Sequence, residues 1–395
     1  MEYLPGNTIL PSEELEGIHP LTSLKHPVNN LPAIILASND VNDETLFING
    51  LTQNIVVLYD QFEALGFKSY LLQNNVSTAD RKPFIHSYRT VTAQEMITTK
   101  MPIKAFIEIG MSIDAVTRGY LRTVGAKIIK LYLGNILNID IETIQNMSTM
   151  FFHHHIVGEL DEIWTSPHYK QHMEYAALLN RTDVENSRVV PYVWDSCFIT
   201  NYGAKETIEW MPPATNWSTM DIVMMDPNIS FQKCSFYSLL LIEAFSKKHP
   251  EWKGNVQIIN GDRLKINPNA YNFVLPSLTM YQQGRIVLHG RKKIHTILQE
   301  NRSACFITHQ WNNDYNYMTL ELLYCNYPIL HNADGWANYG YHYSINKWEE
   351  AIDTMYNALR FHKDHLPIYK SHAMNLIWKH NIHNPSIQKR WKALL

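Results

Sequence analysis

The sequence has little charge and no cluster of basic residues. Charged residues make up only 18% of its 395 residues, and 34 Lys and Arg stand against 37 Asp and Glu, for a formal net charge of −3. Because nucleic-acid binding needs a basic face that displaces counterions, this composition argues against a nucleic-acid partner. Long apolar runs are also missing: none approaches the roughly 20 residues that a transmembrane helix requires.

Cysteine is scarce, and the start of the chain lacks the features of a signal peptide. The four cysteines are widely spaced and form no CxxC pair: Cys197, Cys234, Cys305 and Cys325. They are expected to be reduced, mostly buried thiols in a reducing compartment. The N-terminus contains acidic residues and Pro where a signal peptide has a basic start and an apolar run. We therefore expect a soluble protein of the cytoplasm.

Several motifs of cofactor and metal sites are absent. There is no GxGxxG, the signature of dinucleotide binding, and no Asp-x-Asp, which many metal-dependent transferases use. His153, His154 and His155 are consecutive, so a strand would place only the outer two on one face. We expect neither a metal site nor a cofactor.

What the sequence does contain is a repeated alternation of apolar, strand-like runs and helix-like segments. Apolar residues make up 45% of the chain, enough for two cores at this length. The strand-like runs occupy residues 31–38, 69–72, 104–110, 126–134, 161–167, 188–193, 221–226, 256–260, 285–289, 304–310 and 327–332. Alternating strands and helices imply parallel sheets.

We therefore predict an α/β protein with two doubly wound, Rossmann-like domains facing a cleft. The first would span residues 1–206 and the second 207–375, with a helix over 376–395 returning to the first. Residues 207–219, with paired Pro and no clear period, are the expected connection. In such folds, ligands bind beyond the carboxyl ends of the strands.

The segment 301–332 carries the clearest chemistry. A strand runs into a polar loop, and a helix begins near Asn316, which is a competent N-cap, as is Asp314. The N–H groups at residues 317–319 and the helix dipole suit a diphosphate. Glu321, one turn inside, could accept hydrogen bonds from ribose hydroxyls. Taken alone, Glu321 is better explained as an ordinary solvated helix residue.

The run TLELLYCNYPIL (319–330) resembles the donor site of GT-B glycosyltransferases, particularly glycosyltransferase family 4. In that family two Glu residues are separated by seven positions. The second, which corresponds to Glu321, holds the ribose. The first faces the transferred sugar, and Asn313 takes its place here. Residues 161–195 resemble the end of the family's N-terminal domain, and the resemblance extends over roughly 31–395. The sequence resembles most closely glycosyltransferases encoded by large DNA viruses and some bacteria. A viral origin would place the protein in the cytoplasm of the host.

The loop after the run at 221–226 resembles the family's diphosphate-binding loop. There an Arg and a Lys stand six residues apart. Lys233 corresponds to the Lys, and Pro227 stands where the Arg is expected. Arg291 and Lys292 are candidates to supply the missing charge, with Arg263 a weaker one.

The resemblance implies a hexosyltransferase that moves a sugar from a nucleotide-diphosphate sugar to a glycan acceptor, with retention of configuration and without metal. GDP-mannose is the first expectation for the donor and a UDP-hexose the second. The implied catalytic residues are Lys233 and Asn313. Donor contacts are expected from Glu321, Tyr317, Met318, Thr319, Asp314, Arg291 and Gly261, and an acceptor or phosphate loop from Asn39, Gly50 and Asn135.

Two other interpretations stay open. One is a nucleotide-sugar 2-epimerase on the same fold, which would need further acid and base carboxylates. The other is a non-catalytic protein that binds nucleotide sugars or glycans, which the replacements at Pro227 and Asn313 would allow. The sequence also leaves open whether the chain forms a homodimer.

Overall fold

The computed structural model describes residues 32–38, 41, 46, 50–74, 88–145, 159–200, 205–214 and 216–395. Asn39 and His153–His155 lie outside this part of the chain. The described chain forms two compact units. The N-terminal unit consists of the described residues up to Asp195 together with Lys379–Leu395, and the C-terminal unit is Ser196–Trp378.

The N-terminal unit contains a seven-stranded parallel sheet. Its strands are β1 (Ala33–Ala37), β2 (Lys68–Leu72), β3 (Thr90–Val91), β4 (Ile103–Ile109), β5 (Lys127–Tyr132), β6 (Glu162–Thr165) and β7 (Ser187–Val189). They are arranged in the order 3-2-1-4-5-6-7, and neighbouring strands are parallel. The chain order reverses between β1 and β4, so these two strands form the switch point of the sheet.

The helices of this unit follow their strands. They are α1 (Gly50–Ala64), α2 (Ala93–Thr98), α3 (Ala115–Thr123), α4 (Ile136–Gln145) and α5 (Met173–Leu179). Local signals set several boundaries. Thr92 and Glu95 form a capping box at the start of α2, and the Asp114 side chain accepts from the Thr117 N–H at the start of α3. The sheet core is built from apolar strand residues such as Ile35 and Phe106, which are fully buried.

The C-terminal unit repeats this architecture with six parallel strands. They are β8 (Ile222–Met224), β9 (Val256–Ile258), β10 (Ile286–Leu288), β11 (Cys305–Ile307), β12 (Ile329–His331) and β13 (Tyr341–His342). The order is 10-9-8-11-12-13, with the switch point between β8 and β11. The predicted fold class, two doubly wound α/β domains, is confirmed.

The helices from residue 197 onwards are mostly short, with one long exception. They are α6 (Cys197–Thr200), α7 (Lys205–Ile208), α8 (Phe236–Lys248), α9 (Asp262–Ile266), α10 (Leu275–Ser277), α11 (Thr279–Gln282), α12 (Ile294–Glu300), α13 (Tyr317–Tyr324), α14 (Trp348–His380) and α15 (Pro385–Leu394). The chain passes along α14 from the C-terminal unit into the N-terminal unit. There Trp391 of α15 packs edge-on against Phe62 and Trp164, with ring centroids 5.4 and 5.6 Å apart.

Candidate functional site

A buried carboxylate marks the switch point of the C-terminal sheet. Strands β8 and β11 lie side by side, so the residues that follow them emerge at the same edge. Asp226 follows β8 and is only 1% exposed. Its Oδ1 accepts hydrogen bonds from Thr308 Oγ1 and from Gln310 Nε2, both at 2.7 Å. The two central strand ends are therefore joined through one carboxylate oxygen.

Gln310 extends this network to two further elements. Its side-chain Oε1 accepts from Asn313 Nδ2 at 2.7 Å. Its backbone N–H donates to Asn332 Oδ1, and its carbonyl accepts from Asn332 Nδ2, both at 2.8 Å. Asn332 follows β12, so three neighbouring strand ends are tied together. Asn313, expected to face the transferred sugar, is buried within this network.

Burial governs the charge of Asp226. Desolvation raises its pKa to about 6, against the opposing effects of the Thr308 hydroxyl, the His309 backbone N–H, the Lys233 charge and the Gln310 amide. Its second oxygen, Oδ2, has no hydrogen-bond partner among the described residues. The pKa of this carboxyl is therefore well above that of an ordinary aspartate.

The loop between β8 and α8 holds Lys233 at this edge. The Asn228 N–H donates to the Lys233 carbonyl at 3.1 Å, and the Asn228 side chain accepts from the Ser235 N–H at 2.8 Å. Asn228 has a φ of 54°, a left-handed conformation that Asn tolerates better than most residues. Lys233 also forms an isolated antiparallel bridge with Gln310. Lys233 is partly exposed. Desolvation lowers the pKa of its ammonium group, and the Asp226 charge opposes this shift.

Helix α13 begins where the sequence predicts. The Asn316 side chain accepts from the Met318 N–H at 3.1 Å, and the Asn316 carbonyl accepts from the Thr319 N–H at 3.1 Å. Two of the three amides expected to bind a diphosphate therefore already have acceptors within the protein. Tyr317 and Glu321 are buried in the same helix.

The remaining expected donor contacts lie at other places around the unit. Gly261 packs against the end of β10: a Cβ atom there would lie 2.8 Å from the Ile258 carbonyl oxygen and 3.0 Å from Leu288 Cδ2. Close strand packing thus accounts for the absence of a side chain. Arg291 is exposed, and both desolvation and the nearby Arg263 lower its pKa. Asp314 accepts a backbone hydrogen bond from Gly335 and has a pKa raised by desolvation.

The expected loop residues of the N-terminal unit have local structural roles. Gly50 is the exposed first residue of α1, and its carbonyl accepts from Asn54 Nδ2. Asn135 is buried, and its Oδ1 accepts from the Asn138 N–H at 3.2 Å, which caps the start of α4. Asn39 lies outside the described residues.

Sequence reasoning missed Asp226, Thr308 and Gln310 as parts of the site. A usable signal was present: each follows a short apolar run that ends in polar residues. It becomes informative only when β8 and β11 are known to be neighbours. Among the residues that the structure describes, no three His, Cys, Asp or Glu side chains are grouped in a way that could hold a metal ion. None of the described helices has the length and apolar character that a membrane crossing requires.

Solved structures similar to this chain include glycosyltransferases of the GT-B type. A glycosyltransferase from Rickettsia africae has a TM-score of 0.57 at 12% identity, covering 93% of this chain and 98% of its own. Alr3699/HepE of Anabaena, solved in complex with UDP-glucose, has 0.56 at 8%, covering 91% and 99%. A trehalose 6-phosphate synthase from Burkholderia multivorans has 0.55 at 10%, covering 92% and 98%. At these identities the likeness shows the fold, which is GT-B.

The chain belongs to the family described as "Protein of unknown function (DUF2827)", whose model matches residues 35–395. No curated protein matches its sequence.

Proposed function

We propose that the chain is a glycosyltransferase that moves a sugar from a nucleotide-diphosphate sugar to a glycan acceptor. The supporting observation is the switch point of the C-terminal sheet, where one buried network, centred on Asp226, holds both Lys233 and Asn313. This is the edge at which doubly wound sheets bind nucleotides. The GT-B fold, shared with a protein solved with UDP-glucose, also supports the proposal.

In the proposed reaction, Lys233 stabilises the departing diphosphate. The bond between the anomeric carbon and the diphosphate oxygen breaks, and the leaving group keeps the electron pair. The acceptor hydroxyl oxygen bonds to the anomeric carbon and passes its proton to the departing diphosphate oxygen. A cation fixed beside the developing negative charge lowers the barrier to this step. Arg291 and Arg263 are the proposed sources of the charge that Pro227 does not supply.

The other expected residues of the C-terminal unit are proposed to contact the ribose, the base and the sugar of the same donor. Glu321 is proposed to hold the ribose, and the base is proposed to lie near Gly261 and Arg291. The sugar would lie toward Asn313, with Tyr317, Met318, Thr319 and Asp314 lining the same side. In the N-terminal unit, Asn39, Gly50 and Asn135 are proposed to contact the acceptor or a phosphate.

Two nucleotide sugars are candidates for the donor. The sequence favours GDP-mannose, whereas two structural neighbours were solved with UDP-glucose or with UDP. A UDP-hexose is therefore the first donor to test and GDP-mannose the second. We also propose retention of configuration, as in glycosyltransferase family 4, without a metal or other cofactor.

Calorimetric titration of the full chain with UDP-glucose, GDP-mannose and ADP-glucose tests the proposal. At least one should bind, and Glu321→Gln should bind it at least tenfold more weakly. Glu251→Gln is the matched control, because Glu251 is an exposed residue between α8 and β9, at the opposite edge of the sheet. No binding of any nucleotide sugar would overturn the proposed function. Equal binding by both variants would overturn only the role of Glu321.

A non-catalytic nucleotide-sugar-binding protein is the second candidate. It is favoured by Pro227 and Asn313, which stand where the family has a charged Arg and Glu. Tight donor binding without hydrolysis or transfer, even with a panel of glycan acceptors, would support this candidate against the enzyme.

A further inference from the structure

Exposed aromatic side chains lie next to the switch point of the C-terminal unit. Trp311, after β11, is 40% exposed, and Trp348, at the start of α14, is 37% exposed. Tyr237 of α8 contacts both rings, with centroid distances of 6.4 Å to Trp311 and 4.7 Å to Trp348. We call Tyr237, Trp311 and Trp348 the aromatic shelf. A contiguous apolar surface of this kind on a folded unit commonly marks a binding site.

The Tyr237 ring of the shelf is held in place by the buried interior. Tyr237 stacks on the buried His309, with centroids 3.9 Å apart and planes 23° apart. The His309 ring is fixed by a 3.0 Å hydrogen bond between its Nδ1 and the Tyr343 hydroxyl. The Tyr237 hydroxyl donates to the Ile345 carbonyl. Because Tyr237 and His309 are already ordered, a ligand that lies on the shelf loses little affinity to ordering these side chains.

The shelf is continuous with the proposed donor site. The Trp311 N–H donates to the Gln232 carbonyl at 2.9 Å, one residue from Lys233. Trp311 is also two residues from Asn313. It lies on the β11 side of the switch point, whereas the base is proposed to lie at the ends of β9 and β10. The shelf is therefore beside the sugar end of the proposed donor.

We propose that the aromatic shelf binds a pyranose ring of the glycan acceptor. One face of a pyranose presents C–H groups, which pack against flat aromatic rings, while its hydroxyls need polar partners around the rim. The exposed Asn312, adjacent to Trp311, supplies an amide of the required kind. The charged side chains beside Trp348 are paired, Lys347 with Glu350 and Glu349 with Lys248, so the exposed rings suit a neutral saccharide better than a charged ligand. This assignment rests on the proposed glycosyltransferase function, which supplies the reason for a glycan to lie here.

An array of immobilised oligosaccharides, probed with the full chain, tests the assignment. The strongest-binding oligosaccharide is then titrated against the wild type and against Trp311→Ala/Trp348→Ala. We expect the double variant to bind it at least tenfold more weakly, with unchanged affinity for UDP-glucose or whichever donor binds. Trp311→Phe, which keeps a flat ring, should retain most of the affinity. Trp217→Ala is the matched control, because Trp217 is a partly exposed Trp just before β8, at the opposite edge of the sheet.

Several results would overturn the assignment. They are no binding of any oligosaccharide by the wild type, equal binding by the double variant, or an equal loss in Trp217→Ala. A wild-type dimer that dissociates in the double variant would show that a second copy of the chain covers the shelf. Oligosaccharide binding that depends on the shelf, in a chain that binds no nucleotide sugar, would instead keep the shelf and overturn the proposed function.

Discussion

Each unit buries charged side chains near the carboxyl ends of its central strands, but the two clusters differ in how they are neutralised. In the N-terminal unit, Glu108 of β4 pairs with Lys130 of β5 at 3.0 Å and with Arg118 of α3 at 3.1 Å. Lys130 also donates to Ser112 Oγ at 2.6 Å. Both side chains of the Glu108–Lys130 pair are fully buried.

In the C-terminal unit, the corresponding carboxylate is less fully satisfied. Asp226 is hydrogen-bonded by neutral side chains, its Oδ2 has no partner among the described residues, and its neighbouring cation, Lys233, is partly exposed. A buried charge is stable only when it is paired and hydrogen-bonded. The charges of the N-terminal cluster are paired with one another, so this cluster is explained by its contribution to the stability of the fold. The C-terminal cluster leaves a cation available to an anionic ligand, which is why we place the donor there.

The largest expected effect comes from removing the central charge of the N-terminal cluster. Glu108→Gln leaves Lys130 and Arg118 buried without their carboxylate, so the free energy of unfolding should fall by about 3–5 kcal/mol. Urea denaturation measures this loss. Lys127→Gln breaks a more exposed pair with Glu162 and should cost under about 1 kcal/mol. Similar losses in the two variants would mean that the buried cluster is not an important source of stability.

The next-largest effect is expected at Lys233, where a substitution should change the rate of transfer much more than the stability. Lys233→Ala should slow transfer from the donor about a hundredfold, equivalent to roughly 3 kcal/mol of transition-state stabilisation. Its effect on the free energy of unfolding should be much smaller than that of Glu108→Gln. Steady-state kinetics and urea denaturation together provide the measurement. Lys253→Ala serves as the control, since Lys253 is exposed and precedes β9; a similar rate loss there would remove the special role of Lys233.

The third prediction concerns pH. The pKa of Asp226 is raised from 3.8 to about 6, so the folded state binds its proton more tightly than the unfolded state. This carboxyl therefore favours folding at low pH and disfavours it as the pH rises from about 4 to 6. The buried His309, with a pKa lowered to about 4, acts in the opposite direction, because its neutral form is the folded one.

Asp226→Asn isolates the contribution of the carboxyl. The difference in unfolding free energy between this variant and the wild type should change by roughly 1 kcal/mol per pH unit between pH 6 and pH 4, with the wild type gaining on acidification. Urea denaturation at several pH values measures the difference. A difference that stays constant over this range would show that Asp226 titrates normally.

The smallest effect compares hydroxyls in the two clusters. Thr308→Val removes a donor from Asp226, whose Oδ2 has no hydrogen-bond partner among the described residues, and should cost about 1–2 kcal/mol at pH 7. Ser112→Ala removes an acceptor from Lys130, which keeps its pair with Glu108, and should cost less. Thermal or urea unfolding gives both values. A reversed order would contradict the contrast between a satisfied and an unsatisfied cluster.

The sequence carries enough information for the fold but not for these networks. Long apolar strands such as β4 and β5, and helix boundaries such as Asn316 before α13, follow from local pattern. The two-residue strands β3 and β13 have no pattern to detect, because pairing with a neighbour defines them. The Asp226 network likewise joins residues separated by more than 80 positions, and only the strand order brings them together.

Residues Lys379–Leu395 limit where the chain can be cut to obtain the N-terminal unit as a separate fragment. The N-terminal unit is encoded by two separate stretches of the gene, because Lys379–Leu395 belongs to it. A fragment that stops at Asp195 would lack Trp391, whose ring is fully buried against Phe62 and Trp164. Loss of α15 would therefore leave a large gap in the core of the N-terminal unit.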